Sequence, residues 1–161
     1  MFPNDKEKWD GKYASPGHKS STAPCAWLTA NAELLSGKGK ALDIAMGEGR
    51  NAVYLAALGY DVVGVDISDI GVKNALALAE KKKVKIEAIV EDLNAYRFGQ
   101  NEFHLILCFN FLNRGLFPGI RNALRPGGTL FFETFNVDYL KYRDFRREWV
   151  LERNELLREF G

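Results

Sequence analysis

The sequence predicts a doubly wound, mostly parallel α/β sheet, formed by one domain spanning 1–161. Three observations predict it. Short apolar runs rich in β-branched residues alternate with amphipathic stretches along the chain. Those runs are continuous rather than alternating, as in strands buried on both faces. Acidic residues recur where the runs end, and right-handed crossovers bring those ends to one edge of the sheet.

Residues 1–21 read as a polar, turn-rich leader, with Asp10-Gly11, Ser15-Pro16-Gly17 and Ser20-Ser21. Trp9 and Tyr13 are its exceptions, large aromatics that dock on a ligand or on the core. Residues 23–36 carry Trp27, Leu28, Leu34 and Leu35 at helical spacing and end before Gly37 and Gly39. The first strand is 41–45. A turn with Gly47 and Gly49 leads into a helix over 49–58, stopped by Gly59. Residues 60–67 are a continuous strand run, after which Ser68 or Asp69 caps a helix. That helix buries Val72, Ala75, Leu76 and Ala79 and ends in the solvated Lys81-Lys82-Lys83. Strands follow at 84–90 and 103–109. A short helix over 118–124 and the turn Arg125-Pro126-Gly127-Gly128 lead to a fifth strand at 129–135. A charged tail ends in one helical piece at 154–160.

Composition narrows the class. Apolar residues make up 47% of the 161 positions and charged residues 27%, as in ordinary globular proteins. A net charge of +1 gives no whole-molecule field for nucleic acid or an anionic membrane. The two cysteines, Cys25 and Cys108, lie far apart with no metal-ligand spacing and read as reduced thiols. No apolar run reaches the about 20 residues of a membrane span, and Met1-Phe2-Pro3-Asn4-Asp5-Lys6 opens no signal-peptide core. The cytoplasm is the expected location.

The strand ends carry the chemistry. The first gives Asp43 and the Gly47/Gly49 loop, the second Asp66, the third Asp92, the fourth Cys108-Phe109-Asn110-Phe111, the fifth Glu133-Thr134-Phe135. Glycines let bare backbone approach a ligand, and the helix that follows aims free N–H groups into the same space. Asp66 is placed to accept ribose hydroxyls. Asp92 is placed to accept from an adenine amine, with the Leu93 N–H meeting a ring nitrogen. A nucleoside across these ends is the expectation. A dinucleotide fits poorly, because Gly47 has no glycine three residues on and Asp43 would repel a pyrophosphate. A cationic ligand suits Asp43.

The stretches Leu42-Asp43-Ile44-Ala45-Met46-Gly47-Glu48-Gly49-Arg50-Asn51, Val65-Asp66-Ile67-Ser68, Glu91-Asp92-Leu93 and Leu124-Arg125-Pro126-Gly127-Gly128 resemble the ordered motifs of class I S-adenosylmethionine-dependent methyltransferases. Trp9-Asp10 with Tyr13, the Gly-Glu-Gly-Arg-Asn loop and Glu133-Thr134-Phe135 are similar to the small-molecule branch that includes tellurite-resistance methyltransferases. The resemblance implies a Rossmann-like sheet of strand order 3-2-1-4-5 and S-adenosylmethionine as cofactor. It implies that Asp43, Ala45, Met46, Gly47, Gly49 and Asn51 hold the methionyl part and Asp66 with Ile67 the ribose. Asp92 and Leu93 take the adenine, and Cys108 and Phe109 complete the cofactor set. Tyr13, His18, Arg50, Asn110, Phe111, Glu133 and Phe135 are candidates for the acceptor pocket, as are Arg114 and Tyr139. The acceptor is a small molecule, such as a thiol or a selenium or tellurium oxyanion. Asn110-Phe111 differs from the Asn/Asp-Pro-Pro-Tyr sequence of amino-methylating nucleic-acid enzymes.

Two departures stand out. Ala45 replaces the first glycine of the usual loop. The last two strands of the family sheet are expected to be missing, which would leave the fifth strand as an exposed edge; either the chain is a shortened one or a second copy covers that edge. A cofactor-binding but inactive domain is the alternative reading, and a nicotinamide-binding oxidoreductase a third.

Overall fold

The computed structural model describes residues 5–161. Met1 to Asn4, the start of the expected leader, lie outside the described residues. The sheet has five strands: β1 Lys40–Ile44, β2 Asp61–Asp66, β3 Glu87–Val90, β4 Phe103–Phe109 and β5 Leu124–Glu133. Their order is β3-β2-β1-β4-β5 and every pairing is parallel. The expected order 3-2-1-4-5 is therefore observed, and the sheet ends at β5.

Strand alternation divides the core between two faces. Leu42, Ile44, Val63, Val65, Ile106, Cys108 and Phe132 point to one face, covered by Phe117 and Ile120 of α5 (Phe117–Ala123) and Phe160 of α6 (Glu155–Phe160). Ala41, Val62, Leu105, Leu107, Phe109 and Phe131 point to the other. There Leu28 of α2 (Ala26–Ala30), Ala52 and Leu55 of α3 (Arg50–Leu58) and Val72 and Ala75 of α4 (Asp69–Lys81) pack on them. Gly59 caps α3 in the left-handed region, and the Ser68 hydroxyl caps α4 by accepting from Gly71 N at 2.9 Å.

Several local expectations are corrected. The leader is not loose: α1 spans Asp5–Ala14, with acids in its first turn and Lys12 in its last. Residues 23–36 are not one helix. The Asn31 side chain takes the Trp27 carbonyl at 2.8 Å and ends α2, and a single 3-10 turn, Ala32–Leu34, follows. The third strand starts later than expected. Val84 folds back, its N–H on the Ala79 carbonyl, and packs against the end of α4. Leu76 is exposed, and Leu78 takes its place on the buried face. The fifth strand starts earlier: Leu124 already pairs with Phe103, and Arg125-Pro126-Gly127-Gly128 bulges out before Thr129 pairs with Leu105. Beyond β5 the chain forms 3-10 turns at Val137–Lys141 and Arg147–Trp149, and a parallel bridge joins Asn136 to Leu151.

Candidate functional site

A cavity of about 320 Å³ opens over the C-terminal ends of β1, β2 and β4, where the strand order reverses. Of the expected cofactor residues, Asp43, Ala45, Met46, Gly47, Asn51, Asp66, Ile67, Leu93 and Phe109 line it. Of the acceptor candidates, Tyr13, His18, Arg50, Asn110 and Phe111 line it.

The loop after β1 is built by its backbone. Ala45 has φ 53° and Gly47 φ 56°, both left-handed. Met46 N donates to the Val65 carbonyl, and Gly49 N to the Met46 carbonyl. The chain thus turns sharply away from the sheet and enters α3. An alanine in the left-handed region is strained by roughly 1–2 kcal/mol, so the replacement of the first loop glycine is not free. Asn110, at the end of β4, is also left-handed, with φ 55°. Strained non-glycine residues at one cavity are typical of binding sites.

Among the acids lining this space, Asp43 and Asp66 are buried at the strand ends. Asp66 Oδ2 accepts from Gly47 N at 2.8 Å and Oδ1 from Ser68 N at 2.9 Å. Each oxygen keeps a further lone pair for a ligand hydroxyl. Burial pushes the Asp66 carboxyl up, against the pull of those backbone N–H groups. Asp43 is 2% exposed, and its Oδ2 has no hydrogen-bond partner. Burial raises its pKa to about 7; the Ala52 N–H opposes this, the Asp66 charge adds to it, and Arg50 opposes it. An orphaned, buried carboxylate oxygen beside a second carboxylate is a receptor for a cation. The sulfonium and ammonium of S-adenosylmethionine fit that demand, and Asp66 fits a ribose.

The remaining candidates have other work. Gly49 is the left-handed N-cap of α3, and a Cβ there would lie 2.6 Å from Ala75 Cβ. It sets the approach of α3 to α4 rather than touching the cavity. Asp92 is outside the lining and accepts from Asn94 N and Nδ2. Cys108 is buried, its thiol pushed up by burial, and it meets the Phe111 carbonyl at 3.5 Å. Glu133 faces the Cys25 thiol at 3.7 Å, where the chain enters α2. Phe135 stacks on Tyr139 with ring centroids 4.1 Å apart. Arg114 forks onto Glu155 and caps the Glu148 and Val150 carbonyls. Glu133, Phe135, Arg114 and Tyr139 are thus not part of the cavity lining.

Sequence reasoning missed Glu48, Asp10 and Lys19. Glu48 lines the cavity between the two loop glycines and accepts from three leader or α4 side chains. Asp10 Oδ1 takes the Ser68 hydroxyl at 2.5 Å and the Ile70 N–H at 3.3 Å. The usable signal was a carboxylate in a turn that needs none for its own shape.

Comparison with known proteins agrees with this geometry. A family model described as a methyltransferase domain matches residues 41–128. TehB of Haemophilus influenzae, a probable S-adenosyl-L-methionine-dependent methyltransferase, is 35% identical over 83 residues, 50% of this chain and 29% of its own. Its crystal structure superposes with a TM-score of 0.71 at 22% identity, covering 96% of this chain and 54% of that one. A ubiquinone biosynthesis O-methyltransferase of Burkholderia ambifaria is 31% identical over 134 residues, 79% of this chain and 56% of its own. A structure from work on conversion of a disulfide into a thioacetal in echinomycin biosynthesis gives a TM-score of 0.77 at 21% identity, covering 97% and 77%. The structural likenesses establish the fold, and the chain spans 29% to 56% of the length of these curated relatives. With a methyltransferase-domain match over more than half its length, on a parallel sheet of order 3-2-1-4-5, this chain belongs to the class I S-adenosylmethionine-dependent methyltransferase family.

Proposed function

We propose that the protein binds S-adenosylmethionine in the β1/β2/β4 cavity and transfers its methyl group to a small-molecule acceptor. The observation that carries this reading is the orphaned Oδ2 of buried Asp43 in a cavity shared with Asp66. When bound, the cofactor supplies a methyl group on a sulfonium, already activated for in-line displacement. The chain's task is then positioning and exclusion of water. Asp66 holds the ribose hydroxyls while its own oxygens stay fixed by Gly47 and Ser68. Asp43 offers negative charge to the methionyl end. Leu93 and Phe109 give apolar wall, and Trp9, Tyr13 and His18 close the cavity from the leader side. Asn110, Phe111 and Arg50 border the space left for the acceptor.

A thiol, selenite or tellurite is the proposed acceptor class, supported by the likeness to TehB. An acceptor of this class that is already ionised needs no general base from the protein, whereas a thiol, mostly protonated near neutral pH, reacts as its thiolate. Both cysteines are free thiols, which suits the reducing cytoplasm. No helix among the described residues is long and apolar enough to cross a membrane. The edge strand β5, with the apolar groove of Leu124, Leu130, Leu156 and Phe160 beside it, is the surface proposed for a second copy. Sedimentation of the purified chain reads that out.

Calorimetric titration with S-adenosylhomocysteine, with NAD as the contrast, tests the cofactor reading. Saturable binding of the former alone supports it, and binding of NAD instead returns the oxidoreductase. Transfer of labelled methyl to a panel of thiols, selenite and tellurite tests the acceptor. The second reading, binding without turnover, is favoured by the placement of Glu133, Phe135 and Tyr139 outside the cavity. Tight S-adenosylhomocysteine binding with no transfer to any panel member selects it.

A further inference from the structure

We infer that Glu48 is a positioning residue that clasps the leader over the cofactor cavity, so that cofactor retention depends on a side chain that does not itself hold the cofactor. The inference rests on the cofactor reading above.

The α1 helix has no buried residue. Its half-buried Trp9 and Tyr13 meet the domain, Tyr13 close against Gly71, and polar contacts fix the segment further. There are two anchors. Asp10 grips the start of α4 through Ser68 Oγ and Ile70 N, and Lys6 pairs with Asp69 beside it. Glu48 holds the other end. Its Oε2 meets His18 Nε2 at 2.7 Å, and its Oε1 accepts from Ser20 Oγ at 2.7 Å. Asn74 Nδ2, from α4, fixes the same Oε1 at 2.8 Å. Between the anchors lies the wall of the site. His18 sits edge-on to Tyr13, and Tyr13 stacks with Trp9. A Cβ on Gly47 would come within 2.7 Å of Tyr13 Oη, so that ring lies directly over the bare loop backbone.

Glu48 is committed to this task. Both oxygens are engaged, and its side chain is 11% exposed against 18% for His18. Charge-assisted hydrogen bonds shielded from water are the strong ones. The residue reaches outward from the loop to the leader, and α4 pre-orients it through Asn74. When the clasp opens, His18 leaves the cavity wall and Tyr13 loses its edge-on neighbour, while Asp10 still ties α1 to α4. A ligand that binds only the closed form then binds less tightly by the fraction of molecules closed.

The test uses the full chain with Glu48→Ala, Glu48→Gln and His18→Ala. Two quantities are read: the dissociation rate of S-adenosylhomocysteine, and amide hydrogen exchange over residues 9–21 without ligand. Glu48→Ala is expected to speed dissociation about tenfold and to speed leader exchange, with exchange in β1 and β4 unchanged. Glu48→Gln, which keeps an acceptor for Ser20 and Asn74, is expected to fall between. His18→Ala removes one of the two leader contacts without altering the loop, leaves Ser20 on Glu48, and should move both readouts in the same direction by less than Glu48→Ala. Faster dissociation with unchanged leader exchange would mean direct contact with the ligand and overturns the inference. Faster leader exchange with unchanged dissociation overturns it too. Failure of the parent chain to bind S-adenosylhomocysteine sinks the cofactor reading instead, while the exchange data still decide whether Glu48 secures the leader.

Discussion

Gly47 N donates to Asp66 Oδ2 at 2.8 Å, which makes the loop after β1 and the end of β2 one hydrogen-bonded unit. The acid proposed to hold the ribose therefore also shapes the loop proposed to receive the rest of the ligand. Replacing Asp66 with Ala removes the acceptor for Gly47 and Ser68 together with the ligand's. Asp66→Asn keeps one oxygen acceptor and loses the charge. Calorimetry with S-adenosylhomocysteine is expected to show affinity loss of at least about tenfold for Asp66→Asn, and more for Asp66→Ala, since hydrogen bonds to a charged acceptor contribute about 1.5–3 kcal/mol.

Asp43 makes ligand binding pH-dependent. Its folded pKa of about 7 stands above the ordinary 3.8 chiefly through burial. Between those values the folded state keeps a proton that the unfolded chain has released. Asp43's stabilising contribution is therefore whole below about pH 4, falls as pH rises, and is lost above about 7. A cationic ligand favours the ionised form, so binding releases a proton near and below neutrality. Affinity for S-adenosylmethionine, which carries the sulfonium as well as the ammonium, is expected to rise as pH increases from about 5.5 to about 7.5. Titrations in buffers of different ionisation enthalpy count the proton, and Asp43→Asn should flatten both the profile and the count.

The strands and their acidic ends were legible because parallel strands buried on both faces must be continuously apolar, as 105–109 is. The ends then follow from handedness alone. The α1 helix was not legible: it has no apolar stripe, and it is held by Asp10 reaching Ser68 and by Glu48 reaching His18, pairings that no local pattern encodes. Asn31 broke a helix whose spacing looked sound, because its amide competes for the Trp27 carbonyl. Glu133 and Phe135 shared the favoured edge yet miss the cavity, because Cys25 comes against one and Tyr139 stacks on the other. A strand end marks an edge of the sheet; which ends meet in one cavity depends on the segments laid over them.

Gly49 separates a packing role from a ligand role. At φ 79° an alanine is strained, and its Cβ would sit 2.6 Å from Ala75 Cβ. Gly49→Ala is expected to destabilise the fold by about 2–4 kcal/mol, from left-handed strain and overpacking together. Ala75→Gly alone loses a buried methyl at the same contact. In the double variant the overpacking part disappears while the strain stays. Denaturant unfolding of the four proteins should show a favourable coupling of about 1–2 kcal/mol. Additive losses would mean that α3 and α4 do not meet through this pair.

Arg114 supplies the clearest contrast between site and scaffold. Its guanidinium meets Glu155 at 2.5 and 2.9 Å and the Val150 and Glu148 carbonyls at 2.9 Å each. It thereby ties the start of α6 and the segment before it to the turn preceding α5. Glu155 is only 8% exposed, and its other contact is the Glu152 N–H at 2.7 Å. Hydrogen bonding to Arg114 holds its carboxyl below the ordinary range, so its contribution is present above the unfolded value and is lost as pH falls through the folded one. Arg114→Ala leaves that carboxylate with one partner and two carbonyls without theirs. Discounting for the partly exposed guanidinium, the expected loss is about 1–3 kcal/mol in denaturant unfolding at neutral pH. It should shrink in acid, where Glu155 is protonated in either state. Affinity for S-adenosylhomocysteine should stay within about twofold of the parent, because Arg114 lies outside the cavity lining. A binding loss without a stability loss would move Arg114 from the scaffold back to the acceptor site.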